Sequence, residues 1–377
     1  MNKLYKILKA KYKFVAPEKK KILFFDTVQV LLFTKLFKFN KKNYTSVDTR
    51  LEQINLFIFF KTVIKSIFLN KKLSNLLFNY YLEYIKYVKP KVVITLIDNN
   101  VLFYKFKNYL PHTKFLSVQF GHRTEHRDLL TVIKKLKLSK KYLKSDIYFT
   151  FNKAYGNLIS KYINCKAITI GSIKNNFIPI QNIKNKNTLL FISQFRSQFK
   201  DSNNNFFFTE KKLLPKIYIY CKKNKIKLNI LGTSLKEPLD EKSYYTKILN
   251  SNNWNFLKRN SINNYSVVDK FENIIFIDST LGYEAAARGK KIAVFSSRRI
   301  IKKAPPELFA WPNKMKKKDF YYSDTPSVNE IKRVLNNVTK CSEKKWKEKF
   351  LPRLKSICPY IKNNKNFREK INKIIYK

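Results

Sequence analysis

Short, uniformly apolar runs alternate with longer stretches in which apolar and basic residues share a helical period. Runs rich in β-branched and aromatic residues lie at 21–27, 91–97, 113–118, 146–151, 167–170, 188–192, 227–231, 254–257, 274–277 and 291–296. They are too short for buried helices, and their composition suits central strands. Apolar positions spaced by three and four predict helices over 28–39, 51–69, 73–88, 154–162, 210–224, 242–250 and 263–271. Basic helices follow over 327–338, 343–357 and 365–376. The aromatic residues of 51–69 and 73–88 read as core. Strands alternating with helices predict an α/β chain with parallel, doubly wound sheets.

The clearest single unit is 273–298. An apolar strand runs into Asp278-Ser279-Thr280, residue types whose side-chain oxygens accept first-turn N–H groups at a helix start. A short helix follows and stops at Gly289, and a second strand begins at Lys291. In open α/β sheets ligands lie beyond the carboxyl ends of the strands, where a helix N-terminus suits a phosphate. Gly282 would let a ligand approach the backbone, and Glu284 could accept hydrogen bonds from sugar hydroxyls. The same pattern fits a purely structural strand–helix connection.

Other strand ends carry polar groups of the same kind. Asp98-Asn99-Asn100 follows the strand at 91–97, where it could cap a helix or line a cleft. Gln119, Gly121, His122 and Arg123 follow the strand at 113–118. A His and an Arg there suit a phosphate or an acidic sugar. Ser193 and Arg196 follow the strand at 188–192.

The length, 377 residues, accommodates two domains. The polar, Asn-rich stretch 173–187 reads as the linker between them. A net charge of +53, from 78 Lys and Arg against 25 Asp and Glu, draws the surface to polyanions. The Lys are spread along the whole chain and no RNA-binding signature is present, so no specific nucleic acid is expected as a partner. A basic nucleic-acid-binding protein is the alternative from another class. The 4 Cys have neither metal-ligand nor redox spacing, which fits a reducing cytoplasm. No apolar stretch is long enough to span a membrane. Residues 1–20 lack a signal-peptide core and leave open peripheral contact with an anionic membrane through a short basic helix.

Ser279-Thr280-Leu281-Gly282-Tyr283-Glu284-Ala285, with Arg288-Gly289-Lys290 close behind, resembles the Ser/Thr-x-Gly-x-Glu-Ala-x-x-x-Gly-Lys segment of two-domain (GT-B) glycosyltransferases. The similarity is greatest to transferases of surface-carbohydrate and O-antigen biosynthesis. Capsule Kdo transferases and CDP-glycerol glycerophosphotransferases carry a similar segment. Thr95–Asn100 and the Gln119 turn also resemble the family, although Phe120 stands where its pattern has Asn. Trp311-Pro312 matches a later step, whereas the Gly expected near 318–321 is missing.

The resemblance implies GT-B architecture, two Rossmann-like domains facing a cleft. The N-terminal acceptor domain would span 1–172, with a linker at 173–187. The C-terminal nucleotide-sugar domain would span 188–326, and helices at 327–377 would cross back to the first domain. It implies a glycosyltransferase that moves a sugar from a nucleotide-activated donor to a lipid-linked or oligosaccharide acceptor, at the inner face of the membrane. Ser193, Arg196, Ser279, Thr280, Leu281, Gly282 and Glu284 would hold the donor. Asn99, Asn100, Gln119, Gly121 and Arg123 would line the acceptor side, with Asp98 and His122 as candidate bases. No Asp-x-Asp motif stands out, so neither an essential metal nor another cofactor is expected. A CDP-polyol phosphotransferase is the alternative within the same class, and His122 would serve it.

Overall fold

The computed structural model describes residues 3–68, 75–124, 129–182, 185–195, 205–233, 235, 238–259, 264–296, 309–313, 316 and 318–375. The chain divides into two compact units. One comprises Met1–Phe120, Asp128–Ile170 and Asn364–Lys377, the other Gly121–Arg127 and Gly171–Asn363.

In the first unit the strands are β1 (Lys11–Lys13), β2 (Ile22–Phe25), β3 (Tyr44–Val47), β4 (Gln53–Asn55), β5 (Val92–Thr95), β6 (Lys114–Val118), β7 (Lys144–Thr150) and β8 (Asn164–Thr169). Six of them form a parallel sheet in the order β3-β2-β5-β6-β7-β8. β1 and β4 pair separately, also in parallel. β2 and β5 are buried at every position, as expected of strands covered on both faces by crossover helices. The helix Lys365–Ile375 belongs to this unit. Its Phe367 is fully buried, with ring centroids 4.9 Å from Phe37 and 4.8 Å from Phe149.

The second unit contains β9 (Asn185–Ile192), β10 (Lys227–Leu231), β11 (Asn255–Leu257), β12 (Phe271–Phe276), β13 (Lys291–Val294), β14 (Lys318–Asp319) and β15 (Tyr322–Ser323). Their order is β11-β10-β9-β12-β13-β15-β14, parallel throughout except for the β14–β15 pair. Counted within the unit, the order is 3-2-1-4-5-7-6, and its first five positions follow the dinucleotide-fold order. The direction of winding reverses between β9 and β12, which are in register at Phe191 and Ile275. Both units are thus doubly wound, Rossmann-like sheets.

Three features depart from the sequence reading. The stretch expected as a linker opens with a helix, Ile173–Phe177, in which Ile173, Asn175 and Asn176 are buried. The Asn176 Oδ1 accepts from Ile361 N–H at 2.8 Å, so this stretch is part of the second unit's body. Residues 327–363, expected among helices that cross back, also lie in that unit. Finally, the aromatics of 51–69 are not all core. In the helix Leu56–Phe68, Phe57, Phe60, Ile64, Ile67 and Phe68 are exposed.

Candidate functional site

β9 and β12 are paired neighbours where the winding reverses, and each is followed by polar residues. After β12, Ser279 takes the N-cap position of the helix Thr280–Ala287 with extended backbone angles, and its side chain makes no cap hydrogen bond. The Gly121–Arg123 turn, from a distant part of the sequence, lies on this helix. His122 N–H donates to Thr280 Oγ1 at 3.0 Å. The imidazole stacks on Tyr283, with centroids 3.8 Å apart and planes 20° from parallel. Tyr283 stacks in turn on Phe309, and Phe309 on Tyr322.

Both ring nitrogens of His122 are buried, and among the described residues neither has a hydrogen-bond partner. Burial lowers its pKa to about 3; Asp278 opposes this and Arg123 reinforces it. The ring is therefore neutral at physiological pH, with one N–H donor and one acceptor nitrogen.

Gly282 serves a different purpose from the one expected. A Cβ there would collide with the Phe276 ring, so the position holds the helix against its own strand. Glu284 is buried beneath the helix rather than presented to a ligand. Its carboxylate accepts from the Ser172 hydroxyl, and Asn175 Nδ2 donates to its carbonyl at 3.4 Å. Burial raises its pKa, against the lowering influence of Ser172, Lys174, Tyr265 and Arg259. Leu281 is half-buried in the same turn. Arg288 is an internal tie. Its guanidinium pairs with buried Asp269 and donates to Asn175 Oδ1 and Ile178 O, each at 3.0 Å, and to Pro179 O at 2.9 Å.

On the β9 side, Ser193 is buried. Its hydroxyl bonds Glu241 Oε1 and lies 2.6 Å from the Tyr245 hydroxyl. Glu241 accepts Thr233 N–H on both oxygens, at 2.8 and 2.9 Å. Glu210 accepts from Gln194 N–H and from Tyr245, each at 3.0 Å. These two fully buried carboxylates clamp the loops that follow β9 and β10, and Ser193 belongs to the clamp. Sequence reading missed them, because each lies within a helix well past the strand whose loop it holds. Arg196 lies outside the described residues.

In the first unit Asp98 is fully buried. It accepts from the Tyr148 hydroxyl at 2.7 Å, while the Tyr104 hydroxyl donates to its carbonyl at 2.6 Å. A general base must reach its substrate's proton, and this carboxylate faces the interior. Asn100 caps the helix Val101–Phe106 by accepting Leu102 N–H at 3.1 Å, the structural alternative left open for it. Gln119 is buried and accepts Phe151 N–H at 2.8 Å. Asn99 is exposed, and Arg123 is half-buried beside His122. Among the described residues no group of three or more His, Cys, Asp or Glu is placed to hold a metal.

Residues 116–375 match the profile of a family described as "putative O-antigen biosynthesis protein". The chain belongs to that family. No curated protein matches the sequence. Among solved structures, UDP-GlcNAc 2-epimerase from Neisseria meningitidis, bound to UDP-GlcNAc, is similar at a TM-score of 0.53 and 13% identity, over 93% of this chain and 99% of that one. The enzyme of the same name from Methanocaldococcus jannaschii, in complex with UDP-GlcNAc and UDP, gives 0.52 and 13%, over 93% and 99%. The wall teichoic acid polymerase TagF, as an H444N variant, gives 0.51 and 10%, over 96% and 89%. At these identities the likeness establishes the fold, which is of the GT-B kind. Membership of the O-antigen family and this fold together give the chain a role in making surface glycan.

Proposed function

We propose that this protein transfers a sugar from a nucleotide-activated donor to a lipid-linked or oligosaccharide acceptor during surface-glycan synthesis, working at the cytoplasmic face of the membrane. The observation that carries the reading is the cluster of His122, Thr280 and Tyr283 beside the winding reversal of the second unit. In that reading the donor's phosphates lie at the start of the helix Thr280–Ala287, whose first N–H groups and positive dipole end suit them. When the bond between sugar and phosphate breaks, the leaving nucleotide gains negative charge, and those N–H groups stabilise it. Arg196 is assigned a second positive charge on the same phosphates. His122 offers a neutral imidazole whose two buried nitrogens have no hydrogen-bond partner among the described residues; in this reading the acceptor's entry uncovers one of them, which takes the hydroxyl's proton. The role of base goes to His122, because Asp98 is bound in the interior. No metal is assigned to the reaction.

A second reading has a specific observation in its favour. His122 and the structural similarity to TagF also fit transfer of a polyol phosphate from a CDP-activated donor. A thermal-shift screen against UDP, GDP, CDP, CMP and ADP, at salt high enough to suppress generic polyanion binding, separates the two. A ligand selective for the folded state adds about 2.7 kcal/mol at 100 times its Kd. One nucleotide is expected to act alone, with its effect lost in His122→Ala. CDP would favour the second reading. No selective shift, with RNA stabilising the protein instead, would sink both.

A further inference from the structure

The helix Leu56–Phe68 has its amphipathicity reversed. Positions 57, 60, 61, 64, 67 and 68 share one face. Five of them are apolar and all are exposed: Phe57 41%, Phe60 57%, Ile64 55%, Ile67 65% and Phe68 83%. The sixth is Lys61, also exposed. The buried positions are Ile58, Thr62 and Ser66, two of which carry hydroxyls; Thr62 spends its own on Ile58 O at 2.7 Å. A helix serving only the core of its own unit would present the opposite arrangement.

The apolar face continues beyond the helix. Phe14 and Val15 are 73% and 80% exposed. They follow β1, which pairs with β4 immediately before the helix, in register at Lys13 and Asn55. Asn55 Nδ2 donates to Val15 O at 2.8 Å, which fixes these residues beside the helix start. Lys11 and Lys13 on β1 are exposed, and Lys65 lies along the helix, 2.8 Å from Glu83. Rings and branched chains are therefore bordered by ammonium groups.

We propose that this face is a docking surface for an anionic lipid bilayer. The aromatic and aliphatic side chains would enter the boundary between headgroups and acyl chains, with the lysines against lipid phosphates. Charge selects the occupant. A second copy would bring +53 against +53, whereas an acidic bilayer answers both the apolar face and the lysines. Among the described residues no helix is long and apolar enough to cross the membrane, so contact here would be peripheral. The inference goes beyond the donor site and is tested without nucleotide, so either can fail alone.

The test is co-sedimentation of the full chain with vesicles of phosphatidylcholine alone or mixed with phosphatidylglycerol. Any protein this basic binds the mixed vesicles at low salt, so the informative measurement is at high salt, where the screening length is a few ångströms. Phe60→Ser, Ile64→Ser and Ile67→Ser combined leave the net charge unchanged. The triple variant is expected to lose at least about tenfold in partitioning onto mixed vesicles. Leu239→Ser, at a 77% exposed position in the other unit, is expected to bind as the parent does. Unchanged binding by the triple variant overturns the proposal. So does a dimer of the parent chain that the triple variant abolishes while vesicle binding persists. If the triple variant melts early, Phe60→Trp reads the same contact: blue-shifted emission on mixed vesicles supports it, and unshifted emission overturns it.

Discussion

The backbone N–H of His122 donates to the hydroxyl of Thr280, 158 positions later in the chain, at 3.0 Å. This bond fixes the Gly121 turn on the first residue of the helix after β12. It also places the imidazole over Tyr283, one turn further on.

Thr280→Val removes the acceptor while keeping the shape. The half-buried N–H of His122 then lacks its partner, a cost of about 1–3 kcal/mol. The nucleotide-dependent thermal shift is expected to shrink with it, and Thr280→Ser to restore both. Equal denaturant midpoints for the parent chain and Thr280→Val would show that the bond does not hold the turn.

His122 makes stability depend on pH. Its folded pKa is lowered to about 3 by burial, below an unfolded value of about 6.5. The unfolded chain therefore binds the extra proton between these values, and stability falls as pH drops through that window. From pH 8 to pH 5 the loss is about 2 kcal/mol. Urea unfolding of the parent chain and His122→Phe at the two pH values checks it. An identical pH dependence in both proteins would remove His122 as the cause.

Gly282→Ala is expected to cost about 1–3 kcal/mol, because the added methyl meets the Phe276 ring. Phe276→Leu alone also destabilises, through the cavity it leaves. Combined, the two substitutions should cost less than their sum. Strict additivity in a double-mutant cycle would show that the two positions are independent.

Arg288→Ala leaves Asp269 as a buried charge without its partner, for which the expected cost is about 3–5 kcal/mol. Arg288→Lys should recover only part of this, since an ammonium cannot reproduce the bidentate pair together with bonds to Asn175, Ile178 and Pro179. A loss under about 1 kcal/mol by chemical denaturation would contradict the role of this residue as an internal tie.

Much of the architecture was legible because a buried parallel strand needs a short, wholly apolar run. Ile22–Phe25, Val92–Thr95 and Ile274–Phe276 have no other use for such a composition. β1, β3 and β4 were not legible. Their sequences, KYK, YTSV and QIN, are short and polar, and pairing alone makes them strands. Asp278–Thr280 was located correctly as the start of a helix after a strand, but the roles of its neighbours were not. Gly282 and Glu284 look the same in sequence whether they face a ligand or the interior, and here both face the interior.

By itself the sequence determined the α/β class, which local composition and periodicity encode, the two-domain scale, which follows from its length, and the family, which the motif around Thr280 carries. The tertiary structure decided which strand ends meet. β9 and β12 become neighbours only because the sheet winds outward in both directions from between them. Tertiary packing likewise brings His122 to Tyr283 in the second unit and, in the first, sets Asp98 against Tyr148 and Phe367 against Phe149. It also turned the aromatic face of Leu56–Phe68 outward, since the direction a helix faces depends on what packs behind it.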